Sequence, residues 1–122
     1  MTSKKRTLVI GASENPHRYS HKAIRSLLKK GIDVVAIGKR EGQVEHVNIS
    51  TQVSEEENID TVSLYINPNH QNAYEDILMD LKPKRVIFNP GTENPNLENK
   101  LKSKGIQTLK ACTLVMLASN QY

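Results

Sequence analysis

The chain has 122 residues, of which 37% are hydrophobic and 25% are charged, and its formal net charge is +4. This length predicts a single domain over residues 1–122, large enough to bury roughly two thirds of the surface of the unfolded chain. The single cysteine, Cys112, excludes an intrachain disulfide and a cysteine-based zinc framework. No apolar run approaches the roughly 20 residues that span a bilayer, and the basic start of the chain leads into a strand rather than a signal peptide, so we expect a cytoplasmic protein.

The positive charge is distributed along the chain. Short groups of cations occur at 4–6, 29–30, 39–40, 82–85 and 100–104. A nucleic-acid-binding domain instead concentrates its cations on one face or along one helix. Solvated surfaces and an anionic small ligand account for the charge, and we do not expect nucleic acid as a partner.

Short β-branched runs alternate with helical stretches along the chain. The predicted strands are Leu8–Ile10, Asp33–Ile37, Thr61–Ile66, Arg85–Phe88 and Gln107–Leu109. The predicted helices are Ser20–Lys30, Gln71–Leu81, Asn96–Lys104 and Thr113–Ala118. The segment from 41 to 58 is polar and poorly periodic, with Val47–Ile49 as a short strand or turn.

This alternation predicts an α/β fold. The second strand is apolar throughout, as in a parallel strand covered by helices on both faces. Right-handed crossovers then give a Rossmann-like, doubly wound parallel sheet of about five strands, in the order 3-2-1-4-5. Ligands bind at the carboxyl ends of the strands in such sheets, and the loops there are rich in Gly, Pro, Asn and Ser.

The loop after the first strand is a partial dinucleotide fingerprint. Gly11 ends the strand, whereas Ser13 and Pro16 stand where G-x-G-x-x-G has its later glycines. A turn of this kind before a helix presents backbone N–H groups to a diphosphate, and Ser13 adds a hydroxyl donor. The alternative is a purely structural turn in which Ser20 caps the helix.

Two cations, Lys39 and Arg40, follow the second strand. NAD sites usually have a carboxylate at this position, which binds the ribose diol. A cation suits a ribose with an additional phosphate, which favours CoA or NADP over NAD. Lys39 is the better candidate because neighbouring side chains of an extended chain point in opposite directions. Ordinary surface charge is the alternative.

Other polar residues give weaker signals. His17 and His21 are four residues apart, but no third metal ligand is in register, so no metal site is predicted. The chain has no G-x-S-x-G nucleophile motif, and no catalytic residue is assigned. Cys112 is interpreted as a small buried residue near the ligand edge. Gly91 allows close approach of the backbone to a ligand, and Asn94 before Pro95 is typical of a helix start.

These motifs occur in an order that resembles a known family. Gly11-Ala12-Ser13-x-x-Pro16, the second strand ending at Lys39, Tyr65-Ile66-Asn67-Pro68 and Gly91-Thr92-Glu93 recur together. The chain from about Thr7 to Ala118 resembles the small CoA-binding-domain proteins, which are similar to the N-terminal CoA-binding domain of the succinyl-CoA synthetase alpha subunit. It lacks the synthetase's phosphohistidine and nucleotide-grasp domains, so the resemblance implies CoA binding without ligase activity.

The resemblance also implies roles for individual residues. The loop would contact the CoA diphosphate, Lys39 the phosphate of the adenosine ribose, and the Tyr65 segment the adenosine side, while the Gly91 loop lies beside the pantetheine arm. The full set of predicted cofactor-binding residues is Gly11, Ala12, Ser13, Asn15, Pro16, Lys39, Tyr65, Asn67, Pro68, Gly91, Thr92 and Glu93.

We therefore expect a noncatalytic module that binds CoA or acyl-CoA, regulatory or acting with a partner enzyme. An NADP-binding oxidoreductase-like domain and a Rossmann-like interaction domain without a small ligand are the alternatives. A homodimer is compatible with the small size of the chain.

Overall fold

A computed structural model describes residues 5–53 and 58–122 of the chain. The first four residues, which include part of the predicted basic start, and residues 54–57 lie outside the described residues. The strands are β1 (Thr7–Ile10), β2 (Val34–Ile37), β3 (Gly42–Val44), β4 (Val47–Ser50), β5 (Thr61–Leu64), β6 (Arg85–Phe88) and β7 (Gln107–Lys110). The α-helices are α1 (Tyr19–Lys29), α2 (Glu75–Leu81), α3 (Pro95–Ser103) and α4 (Thr113–Ala118), and a 3₁₀ helix spans Pro68–Tyr74.

The α/β fold with a mostly parallel sheet is confirmed, but the predicted strand number and order are wrong. The seven-stranded sheet has the order β3-β4-β2-β1-β5-β6-β7. All its neighbours pair in parallel except β3 and β4. The third predicted strand, now β5, lies beside β1 rather than beside β2.

The difference in order comes from the hairpin β3–β4, of which the sequence offered only Val47–Ile49, as a short strand or turn. Ala36 and Ile37 of β2 pair with Ile49 and Ser50 of β4, so the hairpin occupies the outer edge of β2. The next strand therefore pairs with the other side of β1, where Thr7 is opposite Thr61. In doubly wound folds a ligand crevice is expected at such a reversal of direction, here between the carboxyl ends of β1 and β5.

Helices cover both faces of the sheet. On one face, Ile24 and Leu27 of α1 and Leu117 of α4 pack on β1 and β2 through Val9 and Ala36. On the other face, a second apolar cluster joins α2 and α3 to the sheet through Leu78, Leu97, Leu101, Leu8, Leu64 and Phe88. Strands buried on both faces explain the continuous apolar runs in the sequence. None of the helices in the described ranges is both long and apolar enough to cross a membrane.

Two helix starts differ from expectation. The predicted helix at 71–81 divides into the 3₁₀ helix and α2, because Asn67 accepts a hydrogen bond from the Asn69 N–H and Pro68 fixes the first turn. Helix α1 begins at Tyr19 without a side-chain cap, so the capping role of Ser20 is wrong. The Asn94 cap is confirmed, since its side chain accepts a hydrogen bond from the Leu97 N–H at 3.3 Å.

Candidate functional site

The carboxyl ends of β1, β2 and β5 meet with little space between them. Gly11 has φ +94°, and a Cβ there would lie 2.9 Å from the Tyr65 carbonyl oxygen. A Cβ on Gly38 would overlap the carbonyl oxygen of Ala12. The Tyr65 N–H in turn donates to Ile10 O at 2.9 Å. Two glycines therefore allow the first loop to lie between the ends of β2 and β5.

The first loop offers fewer backbone donors than its sequence suggests. The N–H groups of Gly11 and Ala12 both donate to Ile37 O, at 2.9 and 2.8 Å. The N–H groups of Ser13 and Glu14, in contrast, donate to no group within 5–53 and 58–122. The first turn of α1 also lacks a side-chain cap. The donors available to an anion are those of Ser13, Glu14 and the start of α1.

Short-range contacts hold this loop in shape. Ser13 Oγ accepts from the Asn15 N–H at 3.0 Å, and Asn15 Oδ1 accepts from the His17 N–H at 3.0 Å. Glu14 Oε2 accepts from the Gln43 N–H of β3 at 2.9 Å. Asn15 and Pro16 are themselves exposed on the outside of the loop.

Lys39 leaves the sheet beside the first loop, since it directly follows the Gly38 that contacts Ala12. Its side chain and that of Arg40 are exposed. Among the residues that the structure describes, no carboxylate lies within ion-pair distance of either cation. Arg25, in comparison, pairs with Glu45 at 2.8 Å and Lys100 with Glu75 at 3.0 Å. Lys39 therefore remains available to an anionic ligand.

A buried polar cluster supports the other side of the crevice. Asn89, which is 1% exposed, donates from Nδ2 to Ser63 Oγ at 2.9 Å and to Leu64 O at 2.8 Å. Its Oδ1 accepts from the Thr113 N–H at 2.8 Å. The hydroxyls of Ser63 and Thr113 are 2.8 Å apart. Asn89 thus ties the carboxyl ends of β5 and β6 to the start of α4.

The Gly91-Thr92-Glu93 loop is fixed to this cluster and to β5. Thr92 Oγ1 donates to Asn89 O at 2.7 Å, and the buried Gln71 donates from Nε2 to Thr92 O at 2.8 Å and to Ile66 O at 3.1 Å. Glu93 Oε1 accepts from the Gly91 N–H at 2.9 Å. Gly91 has φ +93°, which favours glycine, and the space beside it is open. Because Thr92 is buried, the exposed groups of this loop belong to Gly91 and Glu93.

Tyr65 lies between the first loop and the polar cluster that holds the Gly91 loop. Burial raises the pKa of Tyr65 to about 12, although the nearby hydroxyls of Thr113 and Ser63 oppose the shift. Its Oη has no hydrogen-bond partner within the described part of the chain. The phenol is therefore neutral at physiological pH and keeps an unused donor.

The structure brings most of the predicted residues to one edge of the sheet. The first loop contacts Tyr65 directly, and Gln71 connects the Gly91 loop to the Tyr65 segment. Asn67 and Pro68 start the 3₁₀ helix, and the Asn67 side chain caps it. Asn15 and Pro16 are exposed. The binding roles of these residues stay predictions.

Sequence reasoning missed the supporting residues Ser63, Gln71, Asn89 and Thr113. Asn89 had a usable signal, because it directly follows a buried strand at the ligand edge. Cys112 is half-buried and precedes α4. In the described ranges, no three His, Cys, Asp or Glu side chains are grouped closely enough to hold a metal ion.

Comparisons with known proteins agree with this architecture. A family model described as "CoA binding domain" matches residues 5–118. A solved structure of an uncharacterised protein is similar over 99% of this chain and 100% of its own, with 40% identity and a TM-score of 0.95. A Thermus thermophilus protein is 20% identical over 97% of this chain and 91% of its own, with a TM-score of 0.84.

A more distant likeness is to part of a larger enzyme. The dinucleotide-forming acetyl-coenzyme A synthetase 1 of Ca. Korarchaeum cryptofilum is 16% identical, with a TM-score of 0.73. The match covers 88% of this chain and 26% of the synthetase. No curated protein matches the sequence.

Proposed function

Because the chain belongs to the CoA binding domain family, we propose that it is a noncatalytic module that holds CoA or an acyl-CoA at the carboxyl edge of its sheet. Lys39 is the observation that carries this proposal. It is an exposed cation without an ion-pair partner in the described residues, at the tip of β2 and beside a loop with unused N–H donors. These features fit a ligand that has both a diphosphate and a ribose phosphate.

The proposed roles follow the order of groups along CoA. The N–H groups of Ser13 and Glu14 bind the diphosphate, and Lys39 pairs with the phosphate on the adenosine ribose. The Tyr65 segment packs on the adenosine side, and the loop at Gly91 and Glu93 lies along the pantetheine arm. Since no nucleophile motif is present in the sequence, a partner enzyme performs any reaction on the bound thioester.

Melting temperatures measured with CoA, acetyl-CoA, dephospho-CoA, NADP and NAD distinguish this proposal from its alternatives. We expect CoA and acetyl-CoA to raise the melting temperature more than dephospho-CoA does, because a ligand that binds only the native state stabilises it by mass action. Stabilisation by NADP but not by CoA would instead indicate an oxidoreductase-like domain. No shift with CoA, NADP or NAD would indicate an interaction domain.

The substitution Lys39→Ala tests the assigned cation. Loss of a charge-assisted hydrogen bond of about 1.5–3 kcal/mol corresponds to a CoA dissociation constant about 10- to 150-fold higher by titration calorimetry. Dephospho-CoA binding should change much less, because it lacks the group that Lys39 contacts. Lys102→Ala, which removes an exposed cation from α3, is the matched control. Equal losses for CoA and dephospho-CoA would remove Lys39 from the ribose-phosphate position.

A further inference from the structure

Helix α1 contacts the first loop through His21. The His21 side chain is buried, at 4% exposure, and its Nδ1 lies 3.0 Å from Ser13 O. On the other side of the ring, Arg25 Nε donates to Nε2 at 2.8 Å. Arg25 Nη1 also pairs with Glu45 Oε2, in the turn between β3 and β4, at 2.8 Å. A chain of polar contacts thus runs from the hairpin through α1 to the loop.

These contacts determine the protonation of the ring. A guanidinium is always a donor, so Nε2 accepts and carries no proton. Nδ1 then carries the single ring proton of neutral histidine and donates it to Ser13 O. Arg25 therefore selects the tautomer that His21 needs for its contact with the loop.

The contact with Ser13 O also orients an unused donor. Ser13 O and the Glu14 N–H belong to one peptide group, and in a trans peptide these two bonds point in opposite directions. No cis peptide occurs in the described residues. Because His21 holds the carbonyl toward α1, the Glu14 N–H points away from α1. That N–H is one of the two loop donors without a partner in the described residues.

We propose that His21 is a positioning residue, which holds the Ser13–Glu14 peptide so that the Glu14 N–H is directed at the diphosphate of the ligand. This proposal rests on the proposed CoA site and adds that the site requires the His21 tautomer that Arg25 selects, with the proton on Nδ1.

Few other charged groups surround His21. Glu45 faces it through Arg25, and Glu14, His17 and Arg18 belong to the loop and the start of α1. Strands β1, β2 and β3 and helix α4, which also pack on α1, contain no titratable side chain. Arg25 is the charged group that bonds directly to the ring.

Substitution of His21 by asparagine or by glutamine tests the contacts of the two ring nitrogens separately. The side-chain nitrogen of asparagine reaches the place of Nδ1 and donates as the ring does, whereas the side-chain oxygen of glutamine reaches the place of Nε2 and accepts from Arg25. His21→Asn therefore keeps the bond to Ser13 O, whereas His21→Gln keeps only the contact with Arg25. At about pH 8, calorimetry should give a CoA dissociation constant near wild type for His21→Asn and about fivefold higher for His21→Gln. Equal dissociation constants for all three proteins, or equal losses in both variants, would overturn the proposal.

The substitution Arg25→Met, at an exposed position, tests the tautomer that Arg25 selects. Without the guanidinium, Nε2 is free to carry the ring proton, and Nδ1 then no longer donates to Ser13 O. Arg25→Met should therefore raise the CoA dissociation constant of wild type and leave that of His21→Asn unchanged, because asparagine has no tautomer to select. Equal rises in both backgrounds would contradict the role of the ring.

A measurement without ligand keeps this inference separate from the proposed function. Amide hydrogen exchange at Asn15, whose N–H bonds to Ser13 Oγ within the loop, should be faster in His21→Gln than in wild type and unchanged in His21→Asn. If wild type binds no CoA, the proposed function fails, and this exchange pattern still supports the positioning role. Identical exchange in the three proteins would refute it.

Discussion

Polar groups at the two ends of the sheet differ in whether they have bonding partners within the protein. At the amino ends of β1, β5 and β6, Arg85 Nε donates to Thr61 Oγ1 at 2.8 Å. The Arg85 guanidinium carbon lies 4.5 Å from the centre of the Tyr122 ring, and the Tyr122 hydroxyl bonds to Thr7 Oγ1. At the carboxyl ends, Lys39 and the N–H groups of Ser13 and Glu14 have no partner in the described residues.

This contrast agrees with the proposal that the carboxyl end of the sheet binds the ligand, while the amino end contributes to stability. A buried cation is costly unless its charge is compensated, and at the amino end Thr61 and the Tyr122 ring contact Arg85, while its Nη2 has no hydrogen-bond partner among the described residues. Lys39 is exposed, so it costs little to leave unpaired until an anion arrives. Substitutions at the amino end should therefore change the free energy of unfolding alone. Substitutions at the carboxyl end should change CoA binding, with or without a loss of stability.

Asn89→Ala should have the largest effect on stability, because Asn89 belongs to the buried polar cluster with Ser63 and Thr113 at the carboxyl end of the sheet, called the frame below. The change leaves Leu64 O, the Thr113 N–H and Ser63 Oγ without bonds that they now make. Unsatisfied buried groups cost about 1–3 kcal/mol each, and partial relaxation makes a total loss of about 3 kcal/mol the expected value. Urea unfolding measures it, with the exposed Asn99→Ala as the control. A loss below about 1 kcal/mol would show that the frame is not structural.

Gly38→Ala tests the junction that brings β2 against the first loop. A Cβ there overlaps Ala12 O, a backbone atom that moves only with the loop. We expect a destabilisation of about 2 kcal/mol together with weaker CoA binding. The neighbouring Lys39→Ala should weaken binding without changing stability by more than about 0.5 kcal/mol. If Gly38→Ala lowered stability but left CoA affinity intact, the first loop would not be the diphosphate site.

Thr61→Val examines the amino end by itself. Valine fills the same space but leaves Arg85 Nε without its acceptor, at a cost of about 1–2 kcal/mol. The CoA dissociation constant should not change, since Thr61 and the carboxyl end of β5 are roughly 10 Å apart. Thr108→Val is the matched control, because the Thr108 side chain makes no hydrogen bond within the described ranges. A changed CoA affinity would mean that the two ends are coupled.

The apolar pattern of the sequence predicted the buried strands and α1 within one or two residues. The sequence offered β4 as a possible short strand at Val47–Ile49, but β3 and the hairpin were missed, because the turn Glu45-His46 lacks the Asn-Gly type of signal, although Glu45 adopts φ +52°. Alternation in β4, where Val47 and Ile49 are buried and Asn48 and Ser50 exposed, was the remaining clue. Missing the hairpin led directly to the wrong strand order, because the edge of β2 seemed unoccupied.

The site was predicted only in part for a different reason. The positions of Gly11 and Lys39 are recognisable because Gly11 directly follows β1 and Lys39 lies two residues after β2. Gln71 and Asn89 act through partners more than 20 residues away, at Thr92 and Thr113, and only the packed sheet brings these together. The residues next to Gln71 and Asn89 in the sequence give no indication of these distant partners. The loops of a binding site are thus easier to predict than the buried side chains that hold them.

The smallest effect at neutral pH is expected for Tyr65→Phe, at the boundary between frame and crevice. Tyr65 Oη has no partner in the described residues, so its removal should change stability by no more than about 0.5 kcal/mol at pH 7. At alkaline pH, the stabilities of wild type and Tyr65→Phe should differ. The unfolded chain loses its phenol proton near pH 10.0, whereas burial holds the pKa of the folded state at about 12. The folded state binds more protons in this window, so wild-type stability falls as pH rises from 10 to 12.

Phenylalanine cannot ionise, so Tyr65→Phe should lose less stability over the same alkaline window. Tyr122, whose pKa burial also raises, continues to contribute to alkaline unfolding in both proteins. Denaturant melts at about pH 9, 10 and 11 give the difference between the two slopes, and Tyr74→Phe, at a partly buried tyrosine without a resolved hydrogen bond, is the control. Parallel slopes for wild type and Tyr65→Phe would show that water reaches the phenol. The crevice beside Tyr65 would then be open before the ligand binds, and a ligand would bind there by displacing that water rather than by using a dry, preformed donor.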